Sequence, residues 1–522
     1  MTYRTPTLLR MFNRTKLFLA GILLCFLLCP AFSFAQKKKT TIQSSANSIE
    51  SDPRVKDARR LIGNVHFTHE GVNMYCDSAY LFGGNTRLEA FSNVRIMQGD
   101  TLTLYGDHLK YDGNTRTAEV TKNVRLNNRD MSLTTDFLTY DMNSSIASYH
   151  NKGTLVSKEN TLVSEHGYYN SKSREFSFKK NVVLTNPEYV MHCDTLRYNT
   201  FTKTAYFLGP TTIVSSNQAN TIYCENGWYD TDKDISQFNK NAVIVTRQQK
   251  LKGDSLYYNR KKGYGKAMMN IQVIDSVENM VITGNFAEYF EKTENSIVTG
   301  KAMLMQIFDE DTLFLHGDTL RATYETKDSA KMKVIDYKKR MMFAYHHVKF
   351  YKPDIQGKCD SLVYTASDST MRLFKDPVMW SDKNQLTGDK VELLTAGGHI
   401  EQIKLLNNAF VVSQEDSVRF NQVKGKNLTG YFVKDELHKI KVEGNGQTIY
   451  YAKDKNKYMG VNKADCTDIL ILLKDNEVDK ITFITKPDAT LFPFKDAEPK
   501  EMRLKGLKPR FTERPQKQAD IF

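Results

Sequence analysis

The chain has 522 residues, with 11% aromatic residues, only 12 prolines and a formal net charge of +13. No long apolar-periodic helix is visible, which excludes a mainly helical protein, and the many aromatic and β-branched residues favour strands. The positive charges are spread along the whole chain. They therefore indicate either solubility or contact with an anionic partner, such as a phosphorylated lipid, an acidic glycan or nucleic acid.

The first 35 residues predict a cleavable signal peptide. A basic segment precedes the apolar run of residues 17–28, and Ser33-Phe34-Ala35 supplies small residues at the cleavage position. An uncleaved N-terminal anchor is the alternative, because the apolar run nearly reaches membrane-spanning length. Residues 36–60 are polar and rich in Lys, Ser and Thr, which predicts a flexible leader.

A short phrase then recurs about every thirty residues. Each copy contains an apolar residue, a skipped position, Gly or Cys, an acidic residue, an apolar residue and Tyr, as in Leu104 to Tyr111. The acidic position holds Asp or Glu in seven successive copies and Asn in the next, at steps of 29 to 31 residues: Asp77, Asp107, Asp136, Glu165, Asp194, Glu225, Asp254 and Asn285. A fixed period of this size predicts an elongated stack of structural repeats.

Within each phrase the apolar residues change between even-numbered and odd-numbered positions. Leu102 and Leu104 have even numbers, whereas Leu109 and Tyr111 have odd numbers. Because a strand keeps one face only while parity holds, the switch predicts a bulge or corner at the Gly-Asp step. We expect the small residue to provide room and the Asp to cap the kinked backbone in an Asx-type turn. The predicted corner residues are Gly106, Asp107, Asp136, Cys193, Asp194, Gly253 and Asp254.

Turn signals complete each repeat. Asp112-Gly113-Asn114-Thr115 predicts a hairpin, a short alternating strand follows, and an Asn-Val pair such as Asn123-Val124 precedes the next corner. The predicted fold is all-β: an elongated antiparallel β-jelly roll of ~30-residue repeats, with no substantial helix beyond the signal peptide. A parallel β-helix is the alternative, but its rungs are nearer about 20–25 residues and need no hairpin.

The predicted array falls into two segments. Residues 61–310 form the more regular one and residues 311–485 a more divergent one, because the steps lengthen between Asn285 and Asp360. Residues 486–522 are rich in Pro and Lys, which predicts a C-terminal tail that lies on the last repeat or extends from it.

The cysteine positions follow the repeat and do not match the spacing of a metal site or a redox motif. Five cysteines follow the leader, and four take the small-residue position of the phrase; the five are Cys76, Cys193, Cys224, Cys359 and Cys466. No CxxC pair or zinc spacing occurs among them, so we expect a packing role. If two strand spacings separate Cys193 from Cys224, the gap of roughly 9–10 Å is too long for a disulfide.

The repeated phrase resembles the OstA family, the organic-solvent-tolerance domain shared by the lipopolysaccharide-transport bridge LptA and the N-terminal region of LptD. The stretches that carry the resemblance are Gly63-Asn64-Val65 with Cys76-Asp77, Asn93-Val94 with Gly106-Asp107, and Asn123-Val124 with Asp136 and Tyr140-Asp141. It is clearest from residue 61 to about 260. The resemblance implies a periplasmic, semi-open jelly roll whose apolar interior holds lipopolysaccharide acyl chains between the two membranes. The array is much longer than a minimal bridge protein.

The candidate lipid-binding residues lie on the predicted interior face. They are Val94, Ile96, Leu104, Val124, Leu126, Leu133, Val182 and Leu184. The bland interpretation is that these side chains only pack on each other. Lipid binding requires the two walls to stay apart along one edge, so that an apolar trough remains, and each sheltered acyl CH₂ would then gain about 0.8 kcal/mol.

Other chemistries lack their sequence patterns. The acidic column has no Gly-rich nonapeptides that would indicate a calcium roll, and His346-His347 has no metal-ligand spacing around it. Basic runs such as Lys37-Lys38-Lys39 belong to no nucleic-acid module. We therefore predict a non-catalytic protein without metal or cofactor and without a nucleic-acid partner.

The predicted partners follow from the resemblance. They are lipopolysaccharide or a related glycolipid, other Lpt-type jelly-roll proteins that dock through edge strands, and an outer-membrane translocon. We expect a periplasmic protein that is soluble or peripheral to the outer membrane. The alternative is a closed β-repeat scaffold or surface adhesin of the cell envelope that carries no lipid.

Overall fold

The computed structural model describes residues 41–522 except 100–101, 129–130, 325–339, 398, 435, 455–456 and 475–476. The predicted signal peptide and residues 36–40 of the predicted leader lie outside the described residues. Within these bounds no helix is long and apolar enough to cross a membrane. The only helical elements among the described residues are 3-10 turns at Glu291–Thr293, Phe494–Asp496, Phe511–Glu513 and Gln518–Ile521.

The prediction of a flexible leader over residues 36–60 is wrong for residues 43–51, where the strands begin. Those of the first half are β1 (Gln43–Ser45), β2 (Ser48–Ser51), β3 (Ala58–His69), β4 (Val72–Phe82), β5 (Arg87–Gln98), β6 (Leu102–Asp112), β7 (Thr117–Asn128), β8 (Met131–Asp141), β9 (Ile146–Tyr149), β10 (Gly153–Val156), β11 (Thr161–Ser164), β12 (His166–Asn170), β13 (Glu175–Thr185), β14 (Tyr189–Asn199), β15 (Thr204–Ser215), β16 (Thr221–Asp230), β17 (Ile235–Val245), β18 (Gln249–Asn259) and β19 (Tyr264–Asp275).

The second half continues the same pattern. Its strands are β20 (Met280–Phe290), β21 (Asn295–Thr299), β22 (Met303–Ile307), β23 (Thr312–His316), β24 (Thr319–Tyr324), β25 (Arg340–Tyr351), β26 (Ile355–Thr365), β27 (Thr370–Phe374), β28 (Val378–Ser381), β29 (Asn384–Thr387), β30 (Lys390–Ala396), β31 (His399–Gln414), β32 (Phe420–Val433), β33 (Glu436–Asp454), β34 (Lys457–Lys474), β35 (Glu477–Ile484) and β36 (Asp488–Pro493).

Every strand pairs antiparallel with its neighbours, and the described strands form one sheet. Long strands bend in the middle, and some are split there into two short ones, as where β8 pairs with both β9 and β10. The sheet therefore has two walls. Wall 1 contains residues 94–98 of β5 and 102–106 of β6, and wall 2 contains residues 87–91 and 108–112 of the same strands. The prediction of an all-β antiparallel jelly roll is confirmed.

The bends lie at the Gly-Asp step. The ladder between β6 and β7 changes register between Tyr105 and His108, so Gly106 and Asp107 lie inside the irregularity. The opposite strand supplies two consecutive left-handed residues, Lys122 (φ 62) and Asn123 (φ 52). The same arrangement recurs between β18 and β19, where the register shift contains Gly253-Asp254.

The acidic residues differ from the expected Asx-type cap, because they bond to a side chain of the next strand. In five corners the Asn amide donates to the carboxylate sixteen residues earlier: Asn93 to Asp77 (2.7 Å), Asn123 to Asp107 (2.6 Å), Asn181 to Glu165 (2.5 Å), Asn241 to Glu225 (2.6 Å) and Asn270 to Asp254 (2.7 Å). Asx-type turns occur instead at the hairpins, where the backbone N–H of Asn114 donates to Asp112 (2.8 Å).

The small-residue position has a steric cause. A Cβ added to Gly106 would lie 2.3 Å from Cγ1 of Val120, and one added to Gly284 would lie 2.5 Å from Cγ1 of Val298. The cysteines are free, and Cys193 and Cys224 both pair in register with Thr211, so one strand lies between them. Burial raises the pKa of Cys193 and of Cys224 to about 12.

Two interior cores follow each other along the array. One runs from Ile42 to Ile271 and the next from Met280 to Ile471. The predicted segment boundary at residue 310 stays a prediction. A smaller core on the outer face of wall 1 joins Phe410 and Ile449 to residues of the C-terminal tail.

The tail folds back across the outer face of wall 1. Buried glutamine amides hold its backbone, because Gln385 donates to the carbonyl of Lys508 (2.9 Å) and Gln422 donates to that of Met502 (3.0 Å). Further along, Glu513 pairs with Lys358 at 2.6 Å.

Candidate functional site

One continuous row of interior side chains runs along wall 1. Each member pairs in register with the next, from β3 to β25: Phe67, Met74, Ile96, Leu104, Leu126, Leu133, Leu155, Leu162, Leu184, Met191, Ile213, Ile222, Ile244, Leu251, Val273, Ile282, Leu304, Leu315 and Phe350. This row forms one lining of the interior. We call it the aliphatic row.

The burial of the aliphatic row changes at Leu184. Of the eight predicted lipid-binding residues, all but Leu184 are at most 4% exposed, and Leu184 is half-buried; the seven closed ones are Val94, Ile96, Leu104, Val124, Leu126, Leu133 and Val182. Beyond them, Ile213, Ile222, Ile244 and Leu251 are also only half-buried. The aliphatic row is therefore buried before β13, and we call this stretch the closed part. From Leu184 to Ile282 it is half-buried, except at Met191, which is 5% exposed, and we call this stretch the open part.

Hydrogen bonds between the wall ends close the first part. The hydroxyl of Tyr111 on wall 2 lies 2.6 Å from Nδ1 of His69 on wall 1. Tyr140 donates to Gln98 in the same way, and the amide of Asn128 donates to Tyr169. We call these three contacts the tyrosine latches. They join successive repeats at the edge that an open jelly roll leaves free.

Aromatic side chains fill the interior behind the latches. Tyr149 is 1% exposed, and its ring occupies the space beside Gly153 and Gly167, where an added Cβ would come within 2.5 Å and 2.2 Å of it. Its hydroxyl lies 2.7 Å from Oγ of Ser164. No acyl chain fits here without displacing that ring.

In the open part the tyrosines at the equivalent position of the repeat donate to acceptors on wall 2. Tyr229 donates to Asp234 (2.9 Å) and Tyr258 donates to Glu291 (2.6 Å), and both acceptors lie at the turns of wall 2. Burial, followed by these carboxylates, raises the pKa of each tyrosine to about 12. The hydroxyls are therefore held away from wall 1, and a contact between the wall ends in this part is the exposed ion pair of Arg260 with Glu188 at 3.4 Å.

The last members of the aliphatic row line a cavity of about 360 Å³. Ile282, Leu304 and Leu315 line it from wall 1, and Ala322 and Met342 line it from wall 2. This volume is within the range of about 300–1,000 Å³ found for ligand pockets. The half-buried stretch from Leu184 leads in register into this cavity, and together they give one apolar lining that reaches Ile400. We call it the trough.

Charged side chains lie at the rim of the cavity. Lys352 lies 3.3 Å from Asp311 and 3.0 Å from Asp354. Burial lowers the pKa of Lys352, but the two carboxylates outweigh that effect and its pKa is raised, so it stays charged. Arg321, on the other wall, donates through Nε to Asn295 (2.9 Å). The lining is thus apolar, with cationic groups at its borders.

Sequence reasoning missed the cavity residues because it took every interior position as equivalent. A signal was present in wall 2. One register row contains Tyr140, Tyr169 and Phe176 in the closed part, and at the cavity it contains Ser296, Ala322, Met342, Tyr364 and Met371. Except at Tyr364, the smaller or more flexible side chains at these positions leave the space open.

Comparison with known proteins gives two family matches. Residues 37–194 match the model of OstA-like proteins, and residues 281–398 match the model described as LptA/(LptD N-terminal domain) LPS transport protein. The chain is OstA/LptA-like over both segments. The matches associate it with lipopolysaccharide transport, and the second one covers most of the cavity.

Among solved structures, the OstA/LptA-like chain matches the crystal structure of LptH from Pseudomonas aeruginosa, described as the LptA homologous periplasmic component of the conserved lipopolysaccharide transport device. The two are 11% identical with a TM-score of 0.16, and the match covers 30% of this chain and 84% of that chain. No curated protein matches the sequence significantly.

Proposed function

We propose that this protein holds the acyl chains of lipopolysaccharide, or of a related glycolipid, in the trough during transport to the outer membrane. The family matches support the substrate class. The observation that carries the proposal is the continuity between the half-buried aliphatic row and the 360 Å³ cavity. No covalent chemistry is needed, since the protein only shelters its cargo.

The free energy of the proposed mechanism comes from apolar burial. Each CH₂ moved from water into the trough gains about 0.8 kcal/mol, so a chain of ten or more carbons is strongly held yet free to slide along a uniform lining. The anionic sugar head would stay at the rim, where Arg321 and Arg340 provide positive charge.

Other Lpt-type proteins would dock at the ends of the array. The C-terminal end is formed by β35 and β36, and the residues of β36 other than Phe492 are exposed, with Leu491 66% exposed. Such an edge strand offers unpaired backbone groups for β-augmentation. The N-terminal end is formed by the short β1 and β2 on β3. The periplasm is the compartment that suits this role.

A closed envelope scaffold is favoured by one observation, the latched and aromatic-filled first part. We assign that part a structural role and the trough the lipid-binding role.

Photo-crosslinking in cells tests the proposal. A benzoylphenylalanine at Ile244, in the half-buried aliphatic row, should capture lipopolysaccharide. The matched control is the neighbouring Val245, whose side chain is 39% exposed on the opposite face. Equal capture at both positions, or none at Ile244 in a folded protein, would reject lipid carriage and leave the scaffold.

A further inference from the structure

The outer face of wall 1 departs from the repeat in the first five long strands. At one register position these strands carry His66, Tyr75, Arg95, Tyr105 and Arg125. The next strands carry Thr134, Thr154, Val163 and Val183 at that position. Single residues of these types return further along at His192, Tyr223 and Lys252, whereas β3–β7 carry five in succession. The fold does not require such a run, so its presence needs another explanation.

The two arginines are fixed by the tyrosine rings. The guanidinium of Arg95 lies 4.6 Å from the ring centroid of Tyr75, and that of Arg125 lies 5.0 Å from the centroid of Tyr105. The other face of Tyr75 is stacked on His66 at 4.6 Å and 7°. A stacked guanidinium keeps its edge N–H groups available and loses little conformational entropy when it binds an anion.

Neither guanidinium has a carboxylate partner within the described part of the chain. Both side chains are exposed, and they are two strand spacings apart, which is about 9.6 Å. Elsewhere on the surface Arg197 forms a two-oxygen contact with Glu175. Arg95 and Arg125 thus retain donor groups that other surface arginines use within the protein.

His66, Tyr75, Arg95 and Tyr105 line an open concavity of about 600 Å³, and Arg125 lies next to Tyr105 on the adjoining strand, just outside it. Its floor includes the corner pairs Asp77–Asn93 and Asp107–Asn123. The carboxylates would repel a bare polyanion, but they accept hydrogen bonds from hydroxyl groups. A ligand that satisfies both sets of groups has hydroxyls and a negative charge on one scaffold.

We propose that this concavity binds an acidic saccharide. The guanidiniums of Arg95 and Arg125 would bind its phosphate or carboxylate groups, and Asp77 and Asp107 would accept from its ring hydroxyls. The site lies on the outside of the closed part, so it does not depend on lipid in the trough. It would hold a phosphorylated sugar head or an acidic envelope polysaccharide against the array.

Calorimetric titration of the purified full-length protein tests this proposal. The probes are lipopolysaccharide stripped of all acyl chains, polygalacturonate, dextran and inorganic phosphate. We expect one or both acidic saccharides to bind and dextran to give no signal. Binding by the stripped lipopolysaccharide alone identifies a phosphorylated sugar, and binding by polygalacturonate identifies carboxylate recognition.

The decisive variant is R95Q/R125Q, which should weaken the acidic saccharide at least ten-fold and leave the melting temperature unchanged. R174Q is the matched control, because Arg174 is also exposed over an aromatic ring, Phe201, at 5.8 Å. No binding of either acidic saccharide by the wild type, equal binding of dextran, or equal losses in R174Q would overturn the proposal. Since no probe carries acyl chains, these outcomes are separate from the crosslinking result at Ile244.

Discussion

The tyrosine that ends each copy of the repeated phrase has two environments. In the closed part its hydroxyl reaches the opposite wall, as in Tyr111 with His69. In the open part it turns to a carboxylate on its own wall, as in Tyr258 with Glu291. The residue type is the same, so its partner decides whether the edge is closed.

Removing one latch hydroxyl should weaken the closed part. Tyr140→Phe leaves the part-buried Gln98 without its donor, and we expect a loss of about 1 kcal/mol in the free energy of unfolding. Urea unfolding measures it. Tyr258→Phe is the control, since its acceptor Glu291 is exposed, and an equal loss in both variants would contradict the latch.

The buried thiols should be inert. Because burial raises the pKa of Cys193 and Cys224 to about 12, their thiolate fraction at pH 8.5 is far below that of a free cysteine. Iodoacetamide labelling followed by mass spectrometry should modify Cys466, which is only half-buried, before either of them. Simultaneous labelling of all three in folded protein would show that the corners open readily.

At the scale of elements, the corner is the unit that the sequence specified best. The parity switch between Leu104 and Leu109 located the bend, because a period-two pattern cannot cross a bulge unchanged. It did not reveal that Asn123 and Asp107 bond to each other, since their pairing depends on the register between neighbouring strands. The alternation of apolar residues predicts which side chains of one strand share a face. The register depends on how two strands pair, so the alternation within one strand does not predict it.

A methyl group at the corner should be costly. Gly106→Ala places a Cβ 2.3 Å from Cγ1 of Val120, and overpacking of this kind costs roughly 1–3 kcal/mol. Gly253→Ala should cost less, because its nearest neighbour is the terminal methyl of Leu256 at 3.0 Å. Thermal unfolding of both variants gives the comparison, and a larger loss at Gly253 would refute the steric account.

The contact between Glu513 of the tail and Lys358 of wall 1 should weaken in acid. The hydrogen bond from Arg510, together with Lys358, lowers the pKa of Glu513 to about 2 from its usual 4.5. A lowered pKa stabilises the folded tail above pH 4.5, and this stabilisation is lost as the pH falls from 4.5 towards 2. We expect part of the contact between tail and wall 1 to weaken over that interval.

Tryptophan fluorescence can follow this change. Trp380 is fully buried and lies in register between Gln356 and Gln385, which contact the tail. In a Trp228→Phe background, its emission should shift to longer wavelength on acidification. The additional change Glu513→Gln should remove the dependence between pH 4.5 and 2, and an unaltered transition would contradict the assignment.

At the scale of the whole molecule, the sequence predicted the repeat architecture but did not predict the trough. Every copy predicts an interior side chain, and Leu126 and Leu315 are equivalent by pattern. Their surroundings differ because the opposite wall carries Tyr169 near one and Ala322 near the other. The width of a cavity depends on both walls together, which one strand's alternation cannot report.

A bulky side chain in the cavity should reduce lipid capture and leave the stability of the protein nearly unchanged. Ala322→Phe adds a ring to the 360 Å³ space, so the free energy of unfolding should stay within about 1 kcal/mol of the wild type. Capture of lipopolysaccharide by a crosslinker at Leu315 should fall by at least ten-fold. Ala118→Phe, in the closed part where Ala118 is fully buried, should instead unfold the protein. Undiminished capture with the cavity filled would place the lipid elsewhere.

The corner bonds have a consequence for how such arrays change in length. Each joins side chains sixteen residues apart within one repeat, so gaining or losing a whole repeat leaves every other corner intact. One repeat contributes two strands, or about 9.6 Å of length. Duplication of whole repeats can therefore change the length of the molecule in fixed increments.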